Sequence, residues 1–500
     1  MKYLLGIDLG SGSVKATLID QHGQHITDAA SEYATDYPQS GWAQQDPQDW
    51  YRAAVRTISS LLAKSSIEPA SIEAVATDAA THTAVLLDEK GNPLDRAIFW
   101  TDQRSAAQAD WLNQNYANLI RQQTFNTASS VWTLPQFMWL REHKPQIMNK
   151  ARMVLFAKDY LRYRLTGDLS TDRIEAMGSL FYDAARQCWS PELCALAGLS
   201  IDYLPPVREP TDLVGSVTRE AAADTGLAAG TPVIAGMTDT AMELVAVGAI
   251  KPGQSAVKLA TAGRFYRVSD RPCLNPYLIN YQHILPGTWY PGAATKASAS
   301  SFRWYRDAFP GDLPNQEQKS HYQLLDEAAA SIEPGSEGLF FHPYLMGELT
   351  PYNDASLRGS FVGVTMRHRQ AHFTRAVLEG VAFSLRDCYE VLASEGLSPA
   401  DARIIGGGAK SPLWRGIMAD VLGIPLDKPV HDDSSFGAAM VAGVGCGIFA
   451  SVFEAVEKCV RLESRTEPDA TRHSLYEKHY LRYKKIHDAL APIYKQDYPI

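Results

Sequence analysis

Paired cysteines are missing from this sequence. Its six cysteines (Cys188, Cys194, Cys273, Cys388, Cys446 and Cys459) are scattered and show no C-x-x-C spacing. That excludes a zinc ribbon and a disulfide framework, and it leaves each cysteine as a small buried hydrophobe or an inert thiol. A surplus of positive charge is missing too. With 47 Lys and Arg against 56 Asp and Glu the net charge is −9, so gripping a nucleic-acid backbone is not the expected business of the chain. No apolar leader opens it: Met1–Ile7 runs straight into Asp8, short of the roughly 7–15 apolar residues of an h-region. The one long uncharged stretch, Phe436–Phe453, is rich in Gly and Ala and is broken by Gly443, Gly445 and Gly447. It reads as a buried helix followed by a glycine-rich turn, not a membrane span. Low-complexity tracts and short repeats are also absent. What remains, 45% apolar and 21% charged over 500 residues, predicts an ordinary cytoplasmic globular protein of two or three domains.

Two familiar nucleotide-binding patterns are lacking. G-x-G-x-x-G fails at Gly10-Ser11-Gly12-Ser13 because Lys15 stands at the third glycine and the following residues are strand-like. A Walker A pattern fails at Gly406–Ser411 because Ile404 and Ala409 occupy the two required glycine positions.

The elements that are present fall into two similar halves. Tyr3–Asp8 reads as a strand, Gly10–Ser13 as a turn and Val14–Asp20 as a second strand, with a third after His22-Gly23. In the second half Thr231–Gly236 reads as a strand leading to Asp239, and Ala256–Ala260, a turn at Thr261–Gly263, and Arg264–Val268 follow. A helix is expected around Asp49–Ala63, strands at Ile72–Thr77 and Thr83–Leu87, and mainly helix over 103–195. Further on come a helix at Gln370–Glu395, a strand at Ala402–Ile405, a helix at Pro412–Leu422, and a polar amphipathic helix over 472–495, read as a solvated face. The pattern is α/β with mixed sheets, in two lobes, 1–248 and 249–500, facing a cleft.

Several residues suit phosphate chemistry. After a buried strand, Gly10, Ser11, Gly12 and Ser13 let backbone N–H groups turn toward an anion, and Asp8 suits a hydrated Mg²⁺; a plain tight hairpin explains the turn equally. Gly406–Ala409, between a strand and a helix, lets the backbone pass flat against a ring or phosphate. Asp239, at a strand end, suits proton removal from an alcohol, although a helix-capping aspartate would look the same. Trp100, Asp102 and Arg104 offer an aromatic face and a hydrogen-bonding pair, or simply a salt-bridged strand. His82 between Thr81 and Thr83 reads in isolation as a core histidine.

Taken together and in order, the pieces resemble the FGGY family of carbohydrate kinases, in the superfamily of actin, Hsp70 and hexokinase. Gly6–Lys15 is similar to the family's first phosphate loop. Gly41–Pro47 with Trp50, the Trp100/Asp102/Arg104 element, Tyr344–Glu348 with Pro351, and Gly406–Lys410 look like its later motifs. Lys158–Gly167 is close to a segment of the xylulokinase branch. The resemblance implies two ribonuclease-H-like lobes and an ATP- and Mg²⁺-dependent kinase of a small sugar, with D-xylulose as the leading acceptor; another pentulose, gluconate or a polyol is the alternative. It implies Asp239 as catalytic base and, with Asp8, as metal-organising residue. Thr81, His82, Trp100, Asp102, Arg104, Asp239 and Thr240 are implied on the sugar, and Gly10, Ser11, Gly12, Ser13, Lys15, Thr261, Gly407, Gly408 and Ala409 on the nucleotide. No nucleic-acid or membrane partner is implied, and the expected assembly is a homodimer.

The sugar side departs from the branch. Gln-Met-His is Ala80-Thr81-His82, the residue after the base is Thr240 instead of Asn, Gln136 replaces a lysine, and Leu349 replaces an arginine. The second phosphate hairpin reads Ala260-Thr261-Ala262, one hydroxyl fewer than the family's Gly-Thr-Ser. A site built for one set of hydroxyls rejects another. A sugar-independent ATPase on the same lobes would release phosphate without an acceptor; a DNA-binding regulator finds no room ahead of Tyr3; a silent sugar sensor is disfavoured by Asp8, Asp239 and Thr261.

Overall fold

The structure, a computed structural model, describes residues 1–309 and 319–497. In the first half, β1 (Tyr3–Leu9), β2 (Ser13–Asp20) and β3 (His25–Glu32) form an antiparallel meander. Helix α1 (Pro47–Ser65) follows, capped by Asp46, and leads to β4 (Ile72–Ala79), parallel to β1. Residues 103–195 are mainly helical and include α2 (Ala157–Thr166). Then come β5 (Leu213–Ser216), β6 (Pro232–Thr238) and α3 (Asp239–Ala246). The six strands order as β5-β6-β4-β1-β2-β3. β1 and β4 are almost wholly buried apolar runs, as strands covered on both faces must be.

The second half repeats the pattern. β7 (Ser255–Leu259), β8 (Gly263–Arg267) and β9 (Gly292–Thr295) form another meander. Beyond it lie the long helix α4 (Gln370–Ser394), β10 (Ala402–Ile405), α5 (Pro412–Leu422) and β11 (Leu426–Pro429). The chain ends with α6 (Ser434–Gly445), β12 (Leu462–Thr466) and α7 (Ala470–Asp497). This sheet runs β9-β8-β7-β10-β11-β12, again with three antiparallel strands beside two parallel ones and an antiparallel edge. Two copies of one mixed-sheet topology are the ribonuclease-H-like lobes of the sequence reading.

The chain divides into two compact units. The first holds Met1–Ile250, Tyr281–Thr288 and His431–Val460; the second holds Lys251–Asn280, Trp289–Val430 and Arg461–Ile500. Two segments of the second half, 281–288 and 431–460, thus belong to the first unit. Residues 281–288 stay with the first unit because Arg173 donates to Gln282 Oε1 (3.1 Å) and to the carbonyls of His283 (2.7 Å) and Ile284 (3.0 Å). Helix α6 stays there because it lies directly on β1: a Cβ on Gly6 would stand 1.9 Å from the Ser435 carbonyl oxygen. That close approach is why the uncharged stretch after Phe436 is built of Gly and Ala, as its reading as a buried helix requires. No helix among the described residues is long and apolar enough to cross a membrane.

One expectation is corrected. Helix α7 is amphipathic but more than a solvated face: Arg472, Lys478, Arg482 and Lys485 are exposed, while Tyr476 and Tyr483 are buried in the second unit's core. Some of its polar groups face inward onto α4. Tyr476 donates to Glu379 (2.7 Å) and accepts from Arg375 (2.7 Å), while Tyr480 and Lys484 both reach Asp387 (2.5 and 3.0 Å). Tyrosine carries apolar bulk beneath a polar tip, so a helix of tyrosines and lysines looks solvated when read by polarity alone.

Candidate functional site

Three adjacent strands of the first unit deliver carboxylates to one end of the sheet. Asp8 on β1 is the register partner of Asp78 on β4. On the other side of β4, Thr238 of β6 pairs with Ala79, so Asp239 leaves β6 one residue beyond. A fourth carboxylate, Asp433, sits at the start of α6 and lies near enough to act on Asp8. Burial pushes the Asp8 carboxyl up to about 7, with Asp239 and Asp433 adding to the rise. Asp78, fully buried, is raised well above the usual carboxylate range by burial and then by Asp8. No hydrogen bond of ordinary geometry reaches Asp8 Oδ1 or either Asp78 oxygen, although the Ser434 hydroxyl lies near enough to favour their ionised forms.

Asp239 is held at its post by the way β6 ends. A bulge between Ile234 and Met237 interrupts the ladder with β4. Gly236 takes φ +73° there, and a Cβ would lie 1.9 Å from the Thr77 carbonyl oxygen. The carbonyl of Ala235, released from the ladder, accepts from Arg162 Nη1 at 2.6 Å. Asp239 then opens α3, and its Oδ1 accepts from the Thr240 amide (2.6 Å) and hydroxyl (3.3 Å). Thr240 thus holds the Asp239 carboxylate directly.

The β1–β2 turn is braced from behind. The Gly10 amide donates to the Ser13 carbonyl (3.0 Å), and the Gly10 and Gly12 carbonyls accept from the Tyr33 hydroxyl and amide. Gln45 Nε2 donates to the Ser11 carbonyl (2.9 Å), and Gln45 Oε1 is fixed by the Trp50 indole (3.0 Å). With its carbonyls tied inward, the exposed tip of Ser11 and Gly12 can present amides outward, which is what an anion needs. The motif Gly41–Pro47 with Trp50 therefore supports the hairpin, a role its spacing alone does not disclose.

The residues expected on the sugar are largely engaged with protein. His82 adopts φ +73°; its Nδ1 pairs with the Gly178 carbonyl (2.8 Å) and its Nε2 with the Tyr281 hydroxyl (2.9 Å), edge-on to Trp132. Thr81 donates to Glu175 (2.9 Å), whose carboxyl burial raises well above its ordinary value. Asp102 and Arg104 are spent on each other (2.7–2.9 Å), on the Ala43 amide (2.6 Å) and on the Trp42 ring, 3.9 Å from the guanidinium. Trp100 differs: its indole N–H is shielded and has no hydrogen-bond partner among the described residues.

In the second unit Thr261 stands exposed at the tip of the β7–β8 hairpin, and its carbonyl accepts from Ser298 (3.0 Å) and the Ser300 hydroxyl (2.7 Å). Of the Gly406–Ala409 run, only Gly406 takes a positive φ (+90°). Gly407 is exposed, with nothing within 4 Å of where a Cβ would sit, while Gly408 and Ala409 are buried. Open backbone at Gly407 is where a flat ring has room. Glu348 of the Tyr344–Glu348 motif is a knot within the unit: it accepts from the Thr295 and Ser384 hydroxyls (2.6 and 3.1 Å) and the Lys296 and Leu349 amides (2.9 and 2.7 Å). Burial nonetheless pushes its carboxyl from 4.5 up to about 7. The folded state therefore holds this proton more tightly than the unfolded chain, and stability falls as pH rises from about 4.5 to 7, then levels. Glu348→Gln should flatten that part of the pH–stability curve, a difference of roughly 3 kcal/mol across the window, read by urea unfolding of variant and parent side by side.

The residues present fit a hydrated Mg²⁺. Asp8 and Asp78 offer hard oxygen donors that lack ordinary hydrogen bonds. Among the described residues no three ligand groups stand close enough to hold an ion alone.

Comparison with known proteins gives the same outcome as this geometry. The models of the FGGY family of carbohydrate kinases match over residues 3–246 (N-terminal domain) and 262–446 (C-terminal domain). Xylulose kinase of Bacillus subtilis is 32% identical over 490 residues, 97% of each chain. A solved xylulose kinase of Rhodospirillum rubrum superposes with a TM-score of 0.89 at 28% identity, covering 99% of this chain and 100% of that one. A gluconate kinase structure from Lactobacillus acidophilus does so at 0.90 and 25%, covering 99% of both. Two repeated lobes, a carboxylate-ended sheet with a braced glycine hairpin, and matches to both domain models lead to one statement: this chain belongs to the FGGY family of carbohydrate kinases.

Proposed function

We propose that this kinase transfers the γ-phosphate of ATP to D-xylulose, giving xylulose 5-phosphate, with Asp239 as the base. The observation that carries the mechanism is the placement of Asp8 and Asp239 at the ends of strands flanking β4. Asp239 Oδ1 is held by Thr240, which leaves Oδ2 to accept the proton of the attacking hydroxyl. Ser11, Gly12 and Ser13 donate to the phosphates, Lys15 supplies positive charge beside them, and Thr261, Gly407, Gly408 and Ala409 take the rest of the nucleotide. Phosphoryl transfer asks chiefly for such positioning and charge. Mg²⁺, held through water by Asp8 with Asp78 beside it, neutralises phosphate charge when bound. On the sugar side Thr81, His82, Trp100, Asp102, Arg104 and Thr240 form the site; the unpartnered Trp100 N–H is its clearest donor and Thr240 its main departure. A cytoplasmic homodimer is the setting carried over from the sequence.

Xylulose is supported by similarity along the whole chain to xylulose kinases. The comparable likeness to a gluconate kinase, with Thr240 where an amide is usual, favours a second reading in which another pentulose, gluconate or a polyol is the acceptor. ADP release with Mg·ATP across pentuloses, hexuloses, aldonates and polyols tests both. Turnover highest with D-xylulose, and phosphate on O5 by NMR, is the expected result. A better acceptor elsewhere replaces xylulose, and a flat panel overturns the kinase reading.

The Asp8 carboxyl fixes a pH dependence. Raised to about 7, it is protonated over the acid range and must ionise to hold a cation. Divalent-metal affinity should therefore climb with pH, by about tenfold per unit at the steepest, and level off above pH 7. Titrating Mn²⁺ into the protein from pH 5.5 to 8.5 reads this, and a flat profile contradicts it.

A further inference from the structure

Lys15 stands directly opposite Asp8 in the antiparallel β1–β2 register. Opposed residues project from the same face with Cβ atoms only about 5 Å apart, so a lysine at this place is set to fold onto the aspartate. It does not. Its Nζ lies 2.9 Å from Asp433 Oδ2, and Asp8 Oδ1 is left shielded and without a hydrogen bond.

Asp433 is itself held by its other oxygen. As the N-cap of α6 it accepts from the Phe436 amide (3.2 Å) and the Ser435 hydroxyl. Ser435 in turn meets Thr17 on β2 at 2.6 Å, and α6 rests on Gly6 of β1. The carboxylate is thus pinned to the strands that carry Asp8 and Lys15. About a third of each side chain in the Lys15–Asp433 pair is exposed, and such pairs add little to stability. What the pair does decide is where the ammonium goes.

We propose that Asp433 is a positioning residue. It holds the Lys15 ammonium beside the phosphate hairpin and off Asp8, and so keeps the Asp8 carboxylate available to the divalent cation. This rests on the kinase reading above. Without the Asp433 charge, Lys15 is left to the carboxylates of Asp28 and Asp8, and at Asp8 it competes with the metal.

The variant Asp433→Asn separates this from a structural role, because asparagine is as good an N-cap as aspartate and only the charge is lost. Mn²⁺ alone, titrated at pH 8.5, where the Asp8 carboxyl is ionised in parent and variant alike, into the intact protein and followed by electron paramagnetic resonance, should bind D433N about tenfold more weakly than the parent at an unchanged melting midpoint. D433E should recover most of that loss. In turnover, D433N should raise KM for Mg·ATP much more than it lowers kcat. The decisive arm is the pair of variants K15M and K15M/D433N. With no ammonium to misplace, the double variant should bind Mn²⁺ as well as K15M does. Parent-like Mn²⁺ affinity in D433N overturns the proposal, as does a double variant that remains tenfold weaker than K15M. Failure of the parent to phosphorylate any acceptor would count against the kinase reading instead, and the Mn²⁺ comparison would still decide what Asp433 does.

Discussion

Asp239→Asn should lower kcat by about 10²–10⁴-fold, the range that a positioned general base supplies, with little change in KM for ATP or in melting midpoint. The substitution is nearly isosteric, and the amide oxygen can still accept from the Thr240 amide as Oδ1 does now. Asp239 is only half-buried, so no charged network collapses around the change. What is lost is the oxygen that takes the hydroxyl proton. A second readout separates loss of a base from local damage. Asp239 is one of the charges that raise the Asp8 carboxyl; removing it should let Asp8 ionise at lower pH, so Mn²⁺ should bind D239N more tightly than the parent near pH 6. A variant that turns over normally with the best acceptor would remove Asp239 from its role. One that binds Mn²⁺ worse at every pH would mean that Asp239 serves the metal as well as the proton.

How far the sequence discloses this site depends on how each residue reaches it. Asp8 and Asp239 were legible because each ends an apolar strand beside small residues, a local signal. Asp78 was not. Its strand runs on through Ala79, and its partner is set by parallel pairing with β1, a contact that no local pattern encodes. Asp433 is harder still, because it reaches Asp8 only through the return of α6 to the first unit. The repeated meander could be read from glycine turns between β-branched runs, whereas the discontinuous units could not, since they depend on where Arg173 and Gly6 make contact. His82 shows the converse. The motif draws attention to it, yet both ring nitrogens are already paired within the protein. Likewise Lys158–Gly167 was legible as a family segment, but its sequence gives no hint that its charges are buried.

Those buried charges carry the other large effect: Lys158→Met should destabilise the first unit by about 3–5 kcal/mol, the cost of stranding a buried ion-pair partner. Lys158, Asp159, Asp172 and Arg162 are all fully shielded in their side chains. Lys158 pairs with Asp159 and, at 2.8 Å, with Asp172, while Arg162 reaches Asp159 at 3.2 Å. Burial works against the lysine's charge, but Asp159 and Asp172 outweigh it and hold its pKa above the ordinary value. Methionine matches the stem and removes the ammonium, leaving Arg162 alone among Asp159, Asp172 and Glu175. Glu175 is already raised by burial, with Lys158 the main group drawing it down, so in the variant it should rise further. A carboxyl raised in the folded state costs stability as pH increases past its unfolded value. The deficit of K158M should therefore widen with rising pH once the parent's own Glu175 begins to ionise, and narrow in acid. The consequence reaches the chemistry because Arg162 also holds the Ala235 carbonyl at the bulge before Asp239. Drawn toward the stranded carboxylates, Arg162 should loosen β6, and kcat should fall in K158M even at temperatures where it remains folded. Urea unfolding at several pH values together with turnover at 15 °C checks both parts; parent-like stability at pH 8 would show that the network does not hold the strand.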